Sequence, residues 1–181
     1  MDHPLHRAVA EEVRQRLDSR FELVRDPACG GNQQLPLFVG QRKARDTRMC
    51  CVDLLVLQSG TVRAIIEIEE SGFLPTKICG KFLQAAIATH FIHDSRSEAA
   101  IPYAEEVLFL QVLDGSKCLP RGTQKNFQAE LIEKQIQDVL SLRGIRGITN
   151  YRLIFVSGKN DQQGLASVGE AIVSALPNQH T

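Results

Sequence analysis

CVDLLVLQSGTVRAIIEIEESGFLPTKICGKF, residues 51–82, contains two apolar runs, a turn between them and the opening of a helix. Val52 to Leu57 and Arg63 to Glu69 read as strands joined at Gln58-Ser59-Gly60. Both runs are nearly continuous rather than alternating, the pattern of central strands covered on both faces. Each nevertheless carries acid: Asp53 in the first, Glu67 and Glu69 in the second. Buried carboxylates are costly unless something neutralises them. One divalent cation would neutralise all three, so the pattern points to a metal site.

Glu67 and Glu69 are two residues apart on a strand, so their side chains share a face, ~6.6 Å apart at the backbone. With Asp53 at similar height on the neighbouring strand, three carboxylates converge. Two charges ~5 Å apart repel by ~3 kcal/mol at an effective dielectric of ~20. Without a cation, one or two of the acids would hold a proton. A bound cation reverses that logic, because it is the dominant local charge. Oxygen-only ligands select Mg²⁺ or Mn²⁺ over zinc. A cation so held lowers the pKa of a bound water and stabilises charge on a phosphoryl oxygen, the chemistry of phosphodiester hydrolysis. A competing reading places Glu67 and Glu69 where the strand emerges into solvent, with Glu70 continuing an acidic edge. Two features count against it: no turn residue separates Glu67 from Arg63-Ala64-Ile65-Ile66, and Asp53 lies between Val52 and Leu54.

On the N-terminal side, Pro4 opens a helix over residues 4–19, with Leu5, Val9, Val13 and Leu17 forming one stripe. Phe21 to Val24 is a strand closed by Asp26-Pro27. The connection over 28–49 is mostly polar and long enough to suggest a functional role. Its short apolar piece, Leu35 to Val39, is a candidate further strand. On the C-terminal side, Pro75-Thr76 opens a helix running to about His93, packed through Ile78, Phe82, Ala85, Ala86 and Thr89. Gly80 inside that helix hints at close backbone packing. Val107 to Leu113 is a strand, followed by the Gly/Pro-rich loop DGSKCLPRGTQK. A helix over 126–142, a strand Tyr151 to Ser157 and a helix Leu165 to Leu176 complete the chain. The expected fold is α/β, one domain of 181 residues with a mixed central sheet between helices.

This order resembles the PD-(D/E)XK nuclease superfamily, which includes many type II restriction endonucleases. The features that carry the resemblance are Asp53 on a strand, a hairpin, Glu67-Ile68-Glu69, and then a helix. The resemblance implies a restriction-endonuclease-like αβββαβ core over residues 4–113, with an αβα addition over about 125–176. It makes Asp53 the aspartate of the first half-motif, preceded by Val52 instead of proline, and Glu67 the acid of the second. Glu69 falls where the family usually has lysine, an E-x-E variant. Lys77 and Lys81, four apart on one face of the following helix, are candidates for a displaced lysine. The site implied is Asp53, Glu67 and Glu69 on Mg²⁺ or Mn²⁺, with Lys77 or Lys81 stabilising charge on the phosphate. Glu69 would complete the metal coordination or orient the attacking water. The resemblance also implies that an acid from the first helix often joins such a site. Glu11 or Glu12 is in position to do so, but both read first as solvent-exposed helix charge. The activity implied is DNA cleavage, with a homodimer as a further implication. The missing lysine favours an alternative, a nuclease-fold module that binds nucleic acid or regulates without cutting. A third reading is a domain with no DNA role, binding a small molecule or a protein partner.

Net charge is zero, which excludes a polycation that binds nucleic acid indiscriminately. Charge is uneven, though. Arg42, Lys43, Arg45 and Arg48 precede Asp53, and Arg121 and Lys125 follow the fourth strand; all six are candidate phosphate contacts, Lys117 a lesser one. The five cysteines form no CxxC pair and read as buried free thiols. No apolar run is long enough to span a membrane and no signal-peptide core is present, so a cytoplasmic protein is expected. His90 and His93 carry no catalytic assignment, and Gly30-Gly31 lacks the lysine-serine and helix of a phosphate loop.

Overall fold

The chain running from 48 to 58 belongs to two sheets and passes between them at one residue. In the computed structural model, which describes residues 3–70, 72, 74–93, 99–118, 124–143 and 147–176, Asp53 is that residue. β3 (Arg48–Val52) ends before it and β4 (Leu54–Gln58) begins after it. The expectation of one strand carrying Asp53 in its body is therefore corrected: Asp53 is a break between strands. Its backbone no longer follows either ladder, and its carbonyl instead accepts from the Asp26 N–H at 3.0 Å.

The remaining elements are α1 (Pro4–Arg16), β1 (Phe21–Arg25), β2 (Leu35–Phe38), β5 (Thr61–Glu69), α2 (Pro75–Ile87), β6 (His90–Ile92), β7 (Ala100–Asp114), α3 (Gly115–Cys118), α4 (Lys125–Arg143), β8 (Ile148–Val156) and α5 (Gln162–Ala175). β1, β4 and β5 form an antiparallel meander in space. Helix α2 then carries the chain over to β7, which lies parallel to β5, and β8 lies parallel to β7. The first residues of β7 pair instead with β6, which leads through β2 to β3. Because β3 runs straight into β4, these strands fold back over one face of the main sheet. Asp53 is the corner.

Side chains alternate between two cores, as strand geometry requires. Along β4, Leu55 and Leu57 face one core and Leu54 and Val56 the other. The first core packs under α2 and α4 through Phe82, Phe109, Tyr151 and Ile136. The second packs under α1 and α5 through Leu5, Val9, Val13, Val168 and Ile172. With both faces covered, the continuous apolar runs of β4 and β5 are accounted for.

Three further expectations are corrected. Helix α2 stops at Ile87, not near His93, because Thr89-His90-Phe91-Ile92 is β-branched and aromatic and finds a strand partner in β2 and β7. The loop after β7 opens with the short helical turn α3. Gly80 has open space where a Cβ would lie, so no close backbone approach requires it. No helix among the described residues is long and apolar enough to cross a membrane.

Candidate metal centre

The pairing of β4 with β5 ends at Leu54 opposite Ile66, while β5 continues to Glu69. The last three residues of β5 therefore project past the corner at Asp53. Ile68 turns into the α1–α5 core, which leaves Glu67 and Glu69 on the α2 face. There the backbone N–H of Ile68 donates to Asp53 Oδ2 at 2.7 Å. The Asp53 carboxyl stands close beside that of Glu67 and raises its pKa.

Helix α2 returns over this face. Lys81 Nζ pairs with Glu67 and Lys77 Nζ with Glu69. The match is geometric: two residues of strand advance ~6.6 Å and four residues of helix ~6 Å, so an i,i+2 acid pair meets an i,i+4 lysine pair rung for rung. Glu67 is only 3% exposed and Glu69 8%. Lys81 is the more deeply set of the two lysines.

Burial raises the Glu67 pKa to about 8, and the adjacent Asp53 carboxyl adds to it, against the opposing pull of Lys81. Asp53 is raised too, by burial first, with the Ile68 N–H, Lys81 and His6 resisting. Burial pulls the Lys81 ammonium down, but Glu67, Asp53 and Glu69 outweigh it and hold the group charged. Burial and mutual repulsion thus push both carboxyls toward the protonated form, while the surrounding acids favour the charged form of Lys81. Three carboxyls (Asp53, Glu67, Glu69) act on Lys81 here, while Glu70 turns to His3, His6 and the Leu5 N–H on α1. The expected convergence of three carboxylates is corrected. Among the described residues, Asp53, Glu67 and Glu69 do not bring their oxygens into one three-donor group. Glu69 is held by Lys77 instead, which leaves Asp53 and Glu67 as the neighbouring oxygen donors. These two donors fit a divalent cation.

One group at this site was missed by sequence reasoning. His6 of α1 is 7% exposed, with Nε2 3.8 Å from Asp53 Oδ2 and Nδ1 3.1 Å from Glu70 Oε1. Its signal was a histidine on the buried side of an amphipathic helix, beside Leu5 and Val9. Glu70 is no simple acidic edge: it also accepts from the Leu5 N–H at 3.0 Å. Glu11 and Glu12 stand away from the site in surface pairs on α1, Glu11 bonded to Arg14 and Gln15, Glu12 to Arg16, in keeping with the reading of both as helix-surface charge.

The basic residues form a separate feature. Arg42, Lys43 and Arg45 lie on the exposed connection from β2 to β3, and Arg48 is the exposed first residue of β3. Arg42 is paired with Asp46 at 2.6 Å. A cleft of about 660 Å³ lined by Pro36, Phe38, Lys43, Arg45 and Arg48 opens on this hairpin, not on the acidic corner. From Arg48 the strand leads to Asp53 in five steps, or ~17 Å. Lys125 is the half-buried first residue of α4. Arg121 lies outside the described residues, as does the Lys117 side chain.

No known protein family, curated protein or solved structure matches this chain.

Proposed function

We propose that this chain is a metal-dependent endodeoxyribonuclease built on a restriction-endonuclease-like core. The observation that carries the reading is the contact between the Asp53 and Glu67 carboxyls at the corner where β4 ends and β5 runs on. The antiparallel meander, crossover helix and parallel strand around that corner support it. Asp53 and Glu67 would hold Mg²⁺ or Mn²⁺, which supplies an activated water and charge stabilisation at the phosphate.

The chain's own groups do the rest. The Ile68 N–H fixes the Asp53 carboxylate, leaving its other oxygen for a ligand. Lys81, half-buried against Glu67, is favoured in its charged form by the acids around it and stands beside the anionic centre. With Glu67 engaged as a metal ligand, the Lys81 ammonium would be free to stabilise charge on phosphate oxygens. Glu69 and Lys77 form the second rung and hold α2 in place, so Glu69 serves the site by positioning. Lys43, Arg45 and Arg48 on the β2–β3 hairpin contact the backbone of a duplex lying across the corner.

The test is supercoiled plasmid incubated with Mg²⁺ or Mn²⁺. Nicked and linear products that vanish with EDTA and with Asp53→Asn support the reading. Equal products from the variant, or none from wild type alongside intact DNA binding, contradict it. The second result would favour the alternative, a nuclease-fold module that binds without cutting. Its supporting observation is that Glu69 stands at the usual lysine position and both α2 lysines are engaged by acids.

A further inference from the structure

We propose that His3, His6 and Glu70 form a second cation site, selective for a first-row transition ion of the zinc class. One ligand atom from each residue lies within 4.8 Å of the others. His6 Nδ1 is 3.1 Å from Glu70 Oε1, and His3 Nδ1 is 3.9 Å from Glu70 Oε2. Ligands of a tetrahedral ion at ~2.0–2.1 Å stand ~3.3–3.4 Å apart, so the three donors are already close to that spacing. The two rings meet edge-on, with centroids 5.1 Å apart, an arrangement that lets both nitrogens converge.

Donor chemistry separates this site from the one at Asp53 and Glu67. Two imidazoles and one carboxylate favour Zn²⁺, Co²⁺ or Ni²⁺, whereas Mg²⁺ prefers oxygen alone. Three protein ligands leave a fourth position open, so the ion would bind tightly without being sealed in. The ligands are also held from behind: the Leu5 N–H fixes Glu70 Oε1, and His6 is packed into the α1 face.

His3 is the N-cap of α1 yet makes no side-chain cap bond, a poor choice of residue for that position alone. A ligand role gives it a reason to be there. The ion would staple the start of α1 to the end of β5. It would also lie next to the acidic corner, since the other nitrogen of His6 faces Asp53. The site stands on these three residues whether or not the chain cuts DNA.

The test is titration of Zn²⁺ into the protein with excess Mg²⁺ present, followed by calorimetry and thermal denaturation. Wild type should take up one Zn²⁺ per chain with a rise in Tm. His3→Ala should weaken binding by at least about tenfold and lose the rise. His3 is partly exposed, so this variant should fold as wild type does. Glu67→Gln should bind Zn²⁺ within about threefold of wild type, because its carboxyl is not a ligand. Absence of stoichiometric Zn²⁺ in wild type overturns the proposal. So does a His3→Ala protein that binds as tightly, or a Glu67→Gln protein that loses the ion.

Discussion

Asp53 Oδ2 accepts a hydrogen bond from the backbone N–H of Ile68 at 2.7 Å. This bond ties the corner between two sheets to the strand that carries both glutamates. It holds the Asp53 carboxyl beside Glu67 through the backbone, with His6 Nε2 3.8 Å away on the α1 side.

Removing the corner acid should abolish function while sparing the fold. Asp53→Asn keeps an oxygen acceptor for the Ile68 N–H, so its Tm should stay within a few degrees of wild type. Its Mg²⁺-dependent plasmid cleavage should fall by at least about a hundredfold, since a ligand is lost. Circular dichroism melts and gel assays check both halves.

Stability of the cation-free protein should depend on pH through Glu67. Its native pKa is about 8 and its ordinary value 4.5, so between these limits the folded chain keeps a proton that the unfolded chain releases. Stability should therefore fall as pH rises across that window, by at most about 1.4 kcal/mol per unit. Urea melts from pH 5 to 9 would show the slope, and Glu67→Gln should flatten it. By the same linkage, affinity for Mg²⁺ or Mn²⁺ should climb over this window and level off near the upper limit.

The two rungs between β5 and α2 should differ in strength. Lys81→Ala strands the buried Glu67 carboxyl and should cost about 1–3 kcal/mol, limited because Glu67 can stay protonated. Lys77→Ala, at a more exposed pair, should cost less than about 1 kcal/mol. Lys81→Ala should also slow cleavage much more than Lys77→Ala. Equal effects would mean that α2 contributes packing only.

Charge reversal on the basic hairpin should weaken DNA binding without touching stability. Lys43→Glu, Arg45→Glu and Arg48→Glu sit on exposed or partly exposed backbone away from both cores. Each should reduce the salt dependence of DNA affinity by about one phosphate contact. Arg42→Glu should matter less, because its guanidinium is already matched to Asp46. Fluorescence anisotropy across a salt series measures these slopes.

The acidic strand pair was legible in the sequence because Glu67 and Glu69 interrupt an apolar run at period two, and burial alone demands a partner for them. Lys77 and Lys81 were legible as one helical face beside the acidic strand, but as candidates to stabilise phosphate charge. Their pairing with Glu69 and Glu67 depends on how α2 docks over β5. Other features were hidden. The run from Met49 to Gln58 reads as uniformly strand-forming, so nothing local marked Asp53 as a change of sheet; only pairing with distant β2 and β1 divides it. Strand β6 was absorbed into the preceding helix because its partners lie far away in the chain. His6 looked like an ordinary position of an amphipathic helix, and its contacts with Asp53 and Glu70 depend on how α1 docks against β5.

The central claim is that the Asp53 and Glu67 carboxyls jointly hold a divalent cation, and crystals grown with Mn²⁺ test it most directly. Anomalous scattering should place a manganese peak between those two side chains, with Lys81 displaced from Glu67. A peak only beside His3, His6 and Glu70, or none while Lys81 still grips Glu67, would contradict the account.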